Sequence, residues 1–123
     1  MQLTNNFNLG EFNSKDGSPM PEEVQTNVIR LANALQVIRD SINLPIVINS
    51  GYRSPAHNEA VGGAPRSTHI TAMGADIRAL GMAPTNLAGR IEQLIKEGEI
   101  PKGGLKAYLS WVHYDIRGVN ARW

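Results

Sequence analysis

The chain has no cysteine among its 123 residues. That excludes disulfides and thiolate metal sites, so any bound metal must be held by imidazole and carboxylate. It also carries almost no charge excess. Twelve Lys and Arg stand against eleven Asp and Glu, a formal net charge of +1. The basic residues are scattered, which leaves no electrostatic footprint for nucleic acid or an anionic membrane. No stretch approaches the ~20 apolar residues that a spanning helix needs. The first ten residues carry Asn5, Asn6 and Asn8 and no apolar run, so they do not read as a secretory signal. The expectation is a soluble chain that is cytoplasmic at synthesis. Its length is that of one domain with a single hydrophobic core.

The hydrophobic pattern predicts an α+β fold. Residues 1–20 are polar, with Phe7, Leu9 and Phe12 as anchors onto the main body. Pro21-Glu-Glu suits the first turn of a helix, because proline needs no partner there and carboxylates complement the dipole. Val24, Val28, Leu31, Leu35, Ile38 and Ile42 then recur at helical spacing until Asn43 and Pro45. Ile46-Val-Ile48 reads as a buried strand, and Pro55 to Ala60 as a short helix. From Met73 to Leu80 apolar residues alternate with Gly74, Asp76 and Arg78. A second long helix is expected from Pro84 to Glu97, stopped by Gly98. Two further strands follow, Gly103 to Leu109 and Trp111 to Arg117. The resulting architecture is one domain over residues 1–123, a mostly antiparallel sheet with helices on one side.

Two of the three histidines and one aspartate stand out against this pattern. His69 and Asp76 are seven residues apart, and His113 follows in Trp111-Val-His-Tyr-Asp115. Two imidazoles and a carboxylate are a common three-ligand set for catalytic zinc, with the fourth position left to water. Strand phase places His113 and Asp115 on one face, and Asp76 on the polar face of another strand. If those strands pair, Asp76 and His113 meet across the ladder at ~5 Å. Asp115 is then the candidate base that takes the proton from an activated water. It is also spaced to pair with Arg117 as an ordinary carboxylate. Arg53, in a turn leaving a strand, is placed for a substrate carboxylate or an oxyanion. Ser67, two residues before His69, is placed to bind substrate or orient the ligand loop.

The same residues carry a resemblance. Ser50-Gly-Tyr-Arg-Ser-Pro55, Asn58, Val61-Gly-Gly-Ala64, Ser67-x-His69, Asp76-Ile77 and Trp111-Val-His-x-Asp115 resemble the M15 zinc peptidases in order and near-spacing. That family includes D-alanyl-D-alanine carboxypeptidases and phage L-alanyl-D-glutamate endopeptidases. The resemblance runs from about residue 46 to 117. It implies a hedgehog-like α+β fold and cleavage of peptidoglycan stem peptides. It also implies zinc ligands at His69, Asp76 and His113, with Arg53 and Ser67 on the substrate side. By the same analogy the protein would be phage-encoded and released to the cell wall, working as a monomer.

Two departures accompany the likeness. The family usually has glycine three residues after the first ligand and alanine five after it, where this chain has Ala72 and Gly74. Several members place a catalytic carboxylate three residues before the last histidine, where Ser110 stands here. These departures motivate the alternative of a non-catalytic, zinc-containing cell-wall-binding or virion module. His57 is read as a solvated helix residue, and Gly62-Gly63 lacks the following residues of a phosphate loop. Trp111 is assigned to the cleft side and Tyr114 to the core, while Trp123 is open between capping the core and meeting a partner.

Overall fold

The computed structural model describes residues 1–123. A 3-10 turn at Leu9–Phe12 precedes α1 (Glu22–Ile42), β1 (Ile46–Ser50), α2 (Pro55–Ala60) and β2 (Gly74–Ala79). Then come α3 (Pro84–Lys96), β3 (Leu105–Ala107) and β4 (Val112–Asp115). Helix α1 begins just after Pro21, with Glu22 and Glu23 in its first turn. It ends where Asn43 turns left-handed at φ 53° and its amide bonds the Arg39 carbonyl. In α2 the Ser54 side chain accepts from the His57 amide at 3.1 Å, an N-cap ahead of Pro55. No helix is long and apolar enough to cross a membrane.

All four strands pair antiparallel, in the order β1-β2-β4-β3. The register follows from which residues must be dry. Ala75 faces Tyr114 and Ile77 faces Val112 across β2 and β4, and all four are fully buried. Leu31, Leu35 and Ile38 of α1, with Leu87 and Ile91 of α3, complete one hydrophobic cluster against that face. Phe7 and Phe12 join it from the N-terminal segment. Because side chains alternate along a strand, the same register turns Asp76 and His113 to the opposite face as direct partners.

The predicted elements are present, with shorter strands in the second half. Gly103 to Leu109 contracts to three residues. The Tyr108 amide bonds the Trp111 carbonyl at 2.8 Å, closing a tight hairpin whose tip, Leu109, is almost fully exposed. The ladder of β4 also stops at Asp115, although the Ile116 amide still bonds the Met73 carbonyl at 3.0 Å.

Between His69 and Asp76 the chain keeps a left-handed residue, Ala72 at φ 59°. A Cβ there costs ~1–2 kcal/mol, and Ala72 is fully buried. Glycine at this position relieves that cost but forfeits a buried methyl, ~0.8 kcal/mol, and adds unfolded-state freedom of ~0.4–1 kcal/mol. Ala72→Gly is therefore expected to lie within ~1 kcal/mol of wild type in urea unfolding, since these terms nearly cancel. Ala32→Gly, in the buried middle of α1, has no strain to relieve and should lose ~2 kcal/mol. Equal losses at both sites would show that residue 72 is not strained.

Candidate metal centre

Three elements deliver three donor groups to one point. Asp76 comes from β2 and His113 from the facing position of β4. His69 comes from the turns that precede β2, fixed by its own backbone. Its amide donates to Ser67 Oγ at 3.1 Å, and its carbonyl accepts from the Arg53 amide at 3.0 Å. One donor atom each from His69, Asp76 and His113 lie within 4.8 Å of one another.

The outer nitrogens of both rings are already committed. His69 Nδ1 lies 2.7 Å from the Gly51 carbonyl oxygen. A carbonyl only accepts, so this nitrogen carries a proton and Nε2 is the ring's inward-facing atom. It faces Asp76 Oδ1 at 3.3 Å. His113 uses the opposite arrangement. Its Nε2 donates to Asp115 Oδ2 at 2.8 Å, and its Nδ1 stands 3.1 Å from Asp76 Oδ1. Two imidazole nitrogens thus converge on one carboxylate, an arrangement that needs either a proton or a metal cation between each nitrogen and the oxygen. The donor set fits a divalent metal held by nitrogen and oxygen. The outer hydrogen bonds, to a carbonyl and a carboxylate, are those that fix metal-binding histidines in one tautomer.

Ionisation follows the same contacts. Burial pushes the Asp76 carboxyl up, but hydrogen bonds from His113 and His69 outweigh it and hold the group well below the usual carboxylate range. Burial opposes a charge on His113, yet its bonds to Asp115 and Asp76 raise the imidazole above its ordinary 6.5. Without metal, both carboxylates thus favour the protonated form of His113. A metal takes the place of the Nδ1 proton.

Asp115 shares the ligand face, as strand phase requires, but it lies beneath His113 with no exposed surface. Its Oδ1 accepts from the Gly104 amide at 2.8 Å and from Arg117 Nε at 2.9 Å. Its Oδ2 accepts from Arg117 Nη2 at 2.8 Å as well as from His113. The forked pairing with Arg117 is the charge-assisted, two-bond kind. Burial raises the carboxyl's pKa, and these donors together drive it well below the usual range.

His69, Asp76 and His113 line a cleft of roughly 780 Å³, within the usual size of small-ligand sites. Arg53 lines it too, with Nη1 donating to Asn58 Oδ1 at 3.0 Å and Nη2 3.5 Å from Asp76 Oδ2. Gly63 makes this possible, because a Cβ there would sit 2.1 Å from Asn58 Oδ1. Gly74 has a similar reason, since its Cβ would meet Thr68 Oγ1 at 2.3 Å and the His113 ring at 3.1 Å. Ser67 lies in the cleft wall while holding the His69 amide. Sequence reasoning missed the Gly51 carbonyl and the placing of Tyr108 and Trp123 in the cleft. A backbone acceptor leaves no mark in side-chain pattern, and Trp123 lies beyond the last periodic segment. His57 is not among the converging donors.

The profile of the family described as Peptidase M15 matches residues 4–115. No curated protein sequence matches the chain. Among solved structures, the fold is similar to the crystal structure of Serratia marcescens L-Ala D-Glu endopeptidase ChiX. The two align with a TM-score of 0.51 at 19% identity, over 79% of this chain and 88% of that one.

These charges fix the sign of the pH response. The raised His113 stabilises the metal-free fold fully below pH 6.5, and that contribution fades as pH rises through its raised value. The lowered Asp76 and Asp115 contribute fully above pH 3.8 and lose their contribution in acid. Metal-free protein should therefore melt highest between about pH 4 and 6.5. Saturating zinc should move that optimum upward, because the metal competes with the His113 proton. Calorimetric melting with and without zinc measures both, and an optimum that zinc leaves in place would contradict the assignment.

Proposed function

The chain belongs to the peptidase M15 family, and from that premise we propose that it is a zinc-dependent hydrolase of amide bonds in peptidoglycan stem peptides. Both endopeptidase and D,D-carboxypeptidase action fit this reading. The observation that carries it is the convergence of His69 Nε2, His113 Nδ1 and Asp76 in the lining of a cleft in a chain of this family. Bound there, zinc supplies Lewis acidity, which acidifies a water and polarises a carbonyl.

The surrounding residues supply position and charge. His69 is oriented by the Gly51 carbonyl and by Ser67. Arg53 offers a guanidinium braced by Asn58 and half-committed to Asp76 at a long 3.5 Å. That leaves it free to take a substrate carboxylate or the charge that develops on the carbonyl oxygen. Asp115 receives a different role from the expected one. A carboxylate with no exposed surface and both oxygens occupied is poorly built to accept a proton from water. It is well built to hold His113 by Nε2, so that Nδ1 stays free for the metal. We assign Asp115 as a positioning residue.

One observation favours the alternative of a zinc-containing module without catalysis. Asp76 is the single carboxylate among the residues that line the cleft, and residue 110 is an exposed serine. Amine release from purified peptidoglycan separates the two readings. Zinc-loaded wild type should release new amino groups, and His113→Ala should lose both zinc and release. Arg53→Ala should keep zinc and lose roughly 10²–10³-fold in rate. Asp115→Asn should weaken zinc by about 10–100-fold and recover much of its rate when zinc is made saturating. Zinc-bound wild type that releases nothing would establish the module. Asp115→Asn that stays inactive at full zinc occupancy would return Asp115 to the chemistry.

A further inference from the structure

Both tryptophans of the chain and one of its three tyrosines line the metal cleft, whereas both phenylalanines are in the core. They are gathered on one side. Arg53 follows β1, at one edge of the sheet, while Tyr108 and Trp111 close the hairpin between β3 and β4 at the other. The metal ligands stand between the two ends.

The aromatic end is tied together by its own contacts. Tyr108 and Trp111 stack at 4.7 Å with 11° between their planes. Trp123 Nε1 donates to the Tyr108 hydroxyl oxygen at 3.2 Å. Its ring leans against His113 at 5.5 Å and lies 5.8 Å from the Arg117 guanidinium. Yet Trp123 remains 54% exposed, so core packing does not account for it. Because the indole N–H uses a lone pair of the phenol, the Tyr108 O–H remains a donor toward the cleft. Flat apolar faces edged by hydroxyl and cationic donors suit a ligand with the same two-sided character. A sugar ring has it, with C–H groups on its face and hydroxyl and acetamido groups at its rim. The chain's net charge of +1 gives no overall attraction for a nucleic-acid backbone, although Arg53, Arg66 and Arg117 line the cleft.

We propose that Tyr108, Trp111 and Trp123 form a sugar-binding wall that takes an N-acetylated aminosugar ring beside the stem peptide. The protein then prefers peptides still attached to the glycan strand. This rests on the peptidase reading above, and it adds the part of the substrate that lies away from the scissile bond.

The test compares a disaccharide-linked stem peptide with the same peptide freed of its sugar. Wild type should favour the linked form at least tenfold in kcat/KM, through KM. In Trp111→Ala and in Trp123→Ala, whose exposed site spares the fold, that ratio should fall to within about twofold of one. A wild-type ratio near one, or a ratio that survives both substitutions, would overturn the proposal. If neither substrate is cut, the peptidase reading fails and binding decides the wall alone. Saturation-transfer NMR with an N-acetylglucosamine tetrasaccharide should show ring contact in wild type that disappears in Trp111→Ala. No contact in wild type would refute the sugar wall.

Discussion

The bond from His113 to the buried Asp115 carries the rest of the site. Asp115 has no access to water, and a lone buried carboxylate would be several kcal/mol unstable. It is kept ionised by the Arg117 fork, the Gly104 amide and the imidazole. The Gly104 contact also ties a second strand to the β4 segment that holds the other two. Gly104 leads into β3, Arg117 follows β4, and His113 lies within it. Satisfying one carboxylate thus locks the outer half of the sheet and turns the free nitrogen of His113 toward Asp76.

On the other side of the candidate metal position the same result is reached with neutral parts. The Gly51 carbonyl fixes His69, and the turn that supplies it is held by the Tyr52 amide on the Phe12 carbonyl at 2.8 Å. The N-terminal segment therefore takes part in site geometry through Phe12, although it contributes no side chain to the cleft. Asp76, between the two imidazoles, is the one candidate ligand whose side-chain partners are all groups of the site. Its ionisation depends on them, and burial alone would push it the other way.

Much of this was legible in the sequence. Alternation around Asp76 and His113 set their shared face, because Ala75, Ile77, Val112 and Tyr114 had to be buried together. Pro21 and Asn43 marked the ends of the first helix by chemistry that acts within a few residues. The burial of Asp115 was not legible, since phase shows which face a side chain takes but not its depth or its number of donors. Arg117 was visible as a partner, yet only the fold makes that pair buried. The departure at residues 72 and 74 proved local. Ala72 accepts the left-handed turn, and Gly74 leaves room for Thr68 and His113. Trp123 could not be placed, because no periodic pattern reaches it.

The central claim is that two imidazoles, each held from outside, and the Asp76 carboxylate form one metal centre. X-ray absorption at the zinc edge of the loaded protein tests it most directly. The account predicts a four-coordinate shell of light atoms with the multiple-scattering signature of two imidazoles, reduced to one in His113→Ala. An all-oxygen shell, or a two-imidazole signature unchanged by that substitution, would contradict it.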